Sequence, residues 1–93
     1  RSAAGERIVI WGSGSKGVAF LSSLSRPSSV AAAVDVNPHR HGSFMPGTAH
    51  PIVAPEQLRE LRPDIVVVMN RLYRAEVTRD LARLGLAPEL LCL

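Results

Sequence analysis

Short, almost wholly apolar runs alternate along this chain with stretches of helical periodicity. Arg7–Trp11 is the first run, apolar at nearly every position, as strands buried on both faces of a parallel sheet are. From Lys16 to about Leu24 the pattern turns helical, with Gly17, Leu21 and Leu24 at i, i+4, i+7 and Val18 beside them. Ser25–Ser29 (SRPSS) ends that helix in a turn. Val30–Val34 predicts a second buried strand closing on Asp35, and Asn37-Pro38 opens a turn. His39–Pro51 has no period and carries Gly42, Pro46 and Gly47, the mark of an ordered, irregular loop. Ile52–Val53 reads as a brief strand. Pro55 then opens a short helix, with Glu56 and Gln57 in its first turn, Leu58 and Leu61 facing inward and Arg62-Pro63 stopping it. Ile65–Met69 is the strongest strand pattern, four β-branched residues and a Met. The last helix runs from about Leu72 to Leu84, its apolar stripe formed by Tyr73, Val77, Leu81 and Leu84. Its outer face pairs Glu76 with Arg79 and Asp80 with Arg83, Gly85 caps it, and Leu90–Leu93 closes the sheet.

This alternation predicts one Rossmann-like domain over residues 1–93, a three-layer α/β/α sandwich around a mainly parallel sheet of four to five strands. At 93 residues the chain has no room for the complete second half of a dinucleotide site, so a self-contained NAD enzyme is not expected. No apolar run approaches the roughly 20 residues of a membrane span. The single cysteine, Cys92, excludes a disulfide framework and fits a reducing cytoplasm. The N-terminal RSAAGER reads as a linker, or as the point where a longer protein was cut. The net charge is +3 and ten of the eleven cationic residues are Arg, but no Lys/Arg run and no interleaved aromatics accompany them. Nucleic acid is therefore not an expected partner.

Between the first strand and helix stands Gly12-x-Gly14-x-x-Gly17. Strand, glycine turn and helix in that order open nucleotide-binding α/β domains. The first glycine permits the tight turn, the second lets a pyrophosphate approach the backbone, and the third lets helix and strand pack closely. Unpaired N–H groups at the helix start, aided by the helix dipole, attract an anion. The same turn persists where nothing binds, so it specifies a fold more firmly than a ligand. Lys16 lies within reach of a phosphate held there, and without one its charge opposes the dipole. Ser13 and Ser15 either donate to that anion or simply favour the turn. Asp35, 18 residues beyond Gly17 at a strand end, either takes ribose hydroxyls or caps the turn that follows.

His39-Arg40-His41 falls at the edge of the sheet where open α/β folds bind ligands, and Arg40 has the geometry to fork onto a phosphate. His39, His41 and His50 lack the spacing and neighbouring carboxylates of a zinc site, so no metal is expected. Asn70 either meets a ligand or caps the next helix. Tyr73 reads as a core residue, Trp11 either floors a base or packs on the sheet, and Cys92 reads as buried and inert. No nucleophile–base arrangement can be assembled, and no catalytic residue is expected in this segment.

Taken together, these blocks resemble the C-terminal domain of the SAM-dependent sugar C-methyltransferases, which act on nucleotide-linked deoxysugars. The resemblance spans nearly the whole chain. It rests on Trp11-Gly-x-Gly-x-Lys-Gly17, Val34-Asp-x-Asn-Pro-x-Arg-x-Gly42, Pro46-Gly-Thr48 with Pro51-Ile52, Pro55-Glu-x-Leu58 and Pro63-Asp-x-Val-x-Val68. Three positions depart from the family pattern: Arg40-His41 stands for Lys-Gln, Ala54 for a capping Ser, and Met69 for a Trp. The resemblance implies an N-terminal zinc module and a central SAM-binding domain on the same chain. The active site would open between that central domain and this one. It carries substrate binding onto Gly12, Gly14, Lys16, Gly17, Asp35, Asn37 and Arg40, with SAM, structural zinc and the acid/base residues in other domains. The expected partners are a nucleotide-linked sugar, the SAM-binding domain and a second copy in a homodimer. Two other readings stay open: a stand-alone NAD-like nucleotide sensor, and a structural or dimerising domain with a vestigial fingerprint.

Overall fold

A computed structural model of the chain describes residues 6–93. The first five residues of the presumed linker lie outside them. Five strands, β1 (Ile8–Trp11), β2 (Val30–Val34), β3 (Ile52–Val53), β4 (Ile65–Val68) and β5 (Glu89–Cys92), form one sheet in the order β3-β2-β1-β4-β5. Every pairing is parallel. The β-branched runs make this possible, because a sheet covered on both faces has no wet side for polar alternation. The three helices are α1 (Ser15–Ser23), α2 (Leu58–Leu61) and α3 (Arg74–Arg83).

Two cores lie on opposite faces of the sheet. Val9, Trp11, Val34, Val66 and Val68 pack with Leu58 of α2 and with Val77, Leu81 and Leu84 from α3 and its C-terminus. Ile10, Ala33, Ile52, Ile65 and Val67 pack with Leu21 of α1 and with Met45. The expected three-layer parallel sandwich is thus the observed one. Winding proceeds from β1 outward to β3, then crosses back to β4 and β5. A single strand–helix–strand unit therefore represents the second half of the fold, and the order of winding reverses between β1 and β4.

The connection from β2 to β3 contains no α-helix among the described residues. It is a short 3₁₀ turn, Pro38–Arg40, followed by a loop closed by an antiparallel bridge between Phe44 and Pro51. Met45 from this loop, 2% exposed, fills the place a helix would otherwise occupy against α1. His50 pins the loop: its Nε2 donates to the Pro27 carbonyl at 2.7 Å, leaving Nδ1 to accept from the Thr48 hydroxyl at 2.7 Å.

The start of the last helix and the burial of two side chains differ from expectation. The last helix begins at Arg74, because Arg71–Tyr73 forms a 3₁₀ turn whose tighter winding breaks the 3.6-residue register. Val77, Leu81 and Leu84 are buried as the stripe requires, but Tyr73 is 53% exposed and is not a core residue. Cys92, expected to be buried, is half-buried, since β5 is an edge strand.

Candidate functional site

The carboxyl ends of β1, β2 and β4 open into a cavity of about 550 Å³. All seven binding candidates, Gly12, Gly14, Lys16, Gly17, Asp35, Asn37 and Arg40, line it. The reversal of winding between β1 and β4 puts the cavity there, since the loops on either side diverge at that point.

Each glycine has a separate geometric reason. Gly12 has φ +124°, a conformation that side chains rarely adopt. A Cβ on Gly17 would fall inside contact distance of the Gly12 carbonyl oxygen, so α1 can sit this close only without one. A Cβ on Gly14 would meet nothing within 4 Å. Neither strain nor packing demands that glycine, which leaves the backbone there open to a ligand. The first helical hydrogen bond of α1 runs from Val18 N–H to the Gly14 carbonyl at 3.0 Å. The N–H groups of Ser15, Lys16 and Gly17 therefore have no helical acceptor. Lys16 is exposed and has no ion-pair partner among the described residues.

Asp35 is held from several sides. Its Oδ2 accepts from the Ser13 hydroxyl and its Oδ1 from the Asn37 N–H at 2.8 Å. Its backbone carbonyl takes the His41 Nε2–H at 2.6 Å. Burial pushes its pKa up, but the Ser13 hydroxyl, the N–H groups of Asn37 and Ser13 and the Arg40 guanidinium outweigh that, holding the carboxyl below its ordinary value. Through the Asn37 N–H, Asp35 caps the turn that follows β2. Arg40 donates from Nη1 to both the carbonyl and the hydroxyl of Ser13, each at 3.2 Å, which ties the β2 loop to the glycine turn. Asn37 caps its own turn by accepting from His39 N–H at 3.0 Å.

The three histidines do not converge: His41 serves Asp35, and His50 is buried in its own clip. No group of three or more potential metal ligands occurs among the described residues. Asn70 caps the turn after β4, its Oδ1 accepting from Leu72 N–H at 3.0 Å, and also lines the cavity. Sequence reasoning missed the wall made by Tyr73, Glu76 and Asp80. Its signal was present in the apolar stripe, but an aromatic at the first position of such a stripe looks like core until the helix start is known. No described helix is long and apolar enough to cross a membrane.

A family model described as C-methyltransferase C-terminal domain matches residues 1–86. No curated protein matches the chain. Among solved structures, UDP-D-quinovosamine 4-dehydrogenase from Vibrio fischeri superposes with a TM-score of 0.73 at 21% identity, over 97% of this chain and 79% of that one. The Rex-family repressor RSP superposes with a TM-score of 0.68 at 16% identity, over 95% of this chain and 52% of that one. Its complex with beta-NADH gives 0.67 at 16% identity, over 95% and 53%. This chain spans about half the length of the Rex structures. At such identities the likeness is one of fold.

Proposed function

Because the chain belongs to the C-methyltransferase C-terminal domain family, we propose that it is the substrate-side domain of a SAM-dependent C-methyltransferase, and that its cavity forms one wall of a nucleotide-sugar site. The observation that carries this reading is the open backbone at Gly14. Unpaired N–H groups and the unpartnered Lys16 stand beside it at the start of α1. A diphosphate seated there accepts from those N–H groups and from Lys16, and the helix dipole favours its charge. Arg40, tied to Ser13, holds the β2 loop against the same turn.

The sugar then projects away from the sheet edge toward a SAM-binding domain of the same polypeptide. SAM supplies the electrophilic methyl group. This chain binds and orients, and the proton transfers fall to the other domain, which together with a zinc module completes the enzyme. The single cysteine suits a reducing cytoplasm, and no nucleic acid or membrane partner is required.

Titrating UDP and dTDP into the protein by calorimetry tests this. Lys16→Ala should weaken both by about 10- to 150-fold, as for loss of a charged hydrogen bond. The melting temperature should hold or rise slightly, because Lys16 opposes the helix dipole. If neither nucleotide binds, or if Lys16→Ala leaves affinity intact, the proposal fails. Binding of NAD alone, abolished by Asp35→Ala, would instead favour a nucleotide sensor.

A further inference from the structure

The cavity has two chemically different ends. At one are the glycine turn and Lys16. At the other, Tyr73 and Val36 stand on the loops leaving β4 and β2. Val36, Leu72 and Tyr73 are three of the six exposed large hydrophobic side chains among the described residues, at 65%, 82% and 53% exposure. Their clustering at one edge of the sheet has no packing explanation, because the core beneath is already closed by Trp11, Met69 and Val77, each less than 10% exposed.

We infer that this apolar end is a nucleobase subsite, with the Tyr73 ring as its stacking surface and the Val36 side chain facing it. The inference rests on the nucleotide-sugar reading above and adds to it which half of the ligand lies where. Three observations support it. β2 and β4 flank β1, so their loops leave the sheet about 9–10 Å apart, a gap that a flat ring fills with a side chain on each face. The floor is apolar, with Trp11 and Val77 lining it. The rim is polar: Asn70 spends Oδ1 on its cap, and its amide nitrogen has no partner among the described residues. The carboxylates of Glu76 and Asp80 stand one helical turn apart on α3. Such a rim offers both a donor and acceptors to the edge of a base; Asp80 is paired with Arg83 at 3.7 Å, so it is the Glu76 carboxylate that would repel a phosphate. The anion therefore belongs at the glycine turn, and the base at α3.

The experiment compares UDP, dTDP, pyrophosphate and glucose 1-phosphate, read by the fluorescence of Trp11, the one tryptophan, which lines the cavity floor. Tyr73→Ala should weaken UDP and dTDP by about 5- to 150-fold, the range for losing one base–aromatic stack. It should leave pyrophosphate binding unchanged, and Tyr73→Phe should restore the nucleotides. Tyr73 is exposed, so its loss leaves the core intact. Equal weakening of pyrophosphate overturns the inference, as does an unaltered UDP affinity. Loss confined to glucose 1-phosphate overturns it too, by placing the sugar at the aromatic end. If Tyr73→Ala is silent while Lys16→Ala weakens UDP, the base assignment alone fails. If wild-type protein binds none of the four, the cleft reading falls with it.

Discussion

Gly17 and Gly14 are both glycines of one turn, yet alanine should act on them in opposite ways. At Gly17 the new Cβ would lie closer than 3.0 Å to the Gly12 carbonyl oxygen and 3.3 Å from both Ile10 Cδ1 and Met45 Cε. The methionine end can yield, but the oxygen is backbone and no rotamer relieves it. The turn must open, or α1 must lift off the sheet. Overpacking of this kind costs about 1–3 kcal/mol and occasionally more. Alanine returns at most about 1 kcal/mol of helix propensity. Because the clash is with backbone, the cost lies toward the upper end of that range, and a net loss of about 1–2 kcal/mol lowers the melting temperature of a chain this size by on the order of 5–15 °C. At Gly14, with nothing within 4 Å and φ −82°, the same change should shift stability by less than about 1 kcal/mol. It places a methyl group where the phosphate approaches, so UDP affinity should fall instead. Urea denaturation by circular dichroism and UDP calorimetry on the two variants separate the effects. If Gly17→Ala is as stable as the parent, or if Gly14→Ala costs as much, the division of labour argued for these glycines is wrong.

Two further substitutions probe the frame around the site. Asp35 has a folded pKa below its ordinary value, so its ionised form stabilises the fold above about pH 3.9, and that contribution is lost as pH falls through the lowered value. Asp35→Asn should therefore be less stable than the parent at neutral pH, with the gap closing in denaturant melts below about pH 4; a gap independent of pH would refute this. Ala54 occupies an N-cap with extended backbone and only half a capping box, its N–H donating to Gln57 Oε1 at 3.1 Å. Ala54→Ser should raise stability by about 1 kcal/mol in urea titration, and no change would mean the short helix is not limited by its cap.

Much of the architecture was legible because burial writes itself into composition. Val30–Val34 and Ile52–Val53 are strands with the expected bounds. Ile65–Val68 falls one residue short of the expected run, although the Met69 N–H still donates to the Trp11 carbonyl at 3.1 Å. The fingerprint glycines were legible for the same reason: their spacing is imposed locally, by a turn and a helix start. Tyr73 was not. Its place in the stripe depended on where α3 begins, and Asn70 decides that by capping a 3₁₀ turn first. The partner of Asp35 was equally hidden, since Ser13 lies 22 residues away and Arg40 reaches Ser13 across 27.

By itself, then, the sequence determined the parallel sheet, the glycine turn and the family, because these follow from hydrophobic period, backbone freedom and local motif. Only the tertiary structure decided which polar groups are already spoken for and which face an open cavity. Asp35 and Asn37 turned out to be engaged within the fold, while Lys16 and Tyr73 stand exposed toward the cleft. The physical reason is that a hydrogen bond or an exposed ring is fixed by the meeting of strands distant in sequence, and residue type does not record what a side chain will meet.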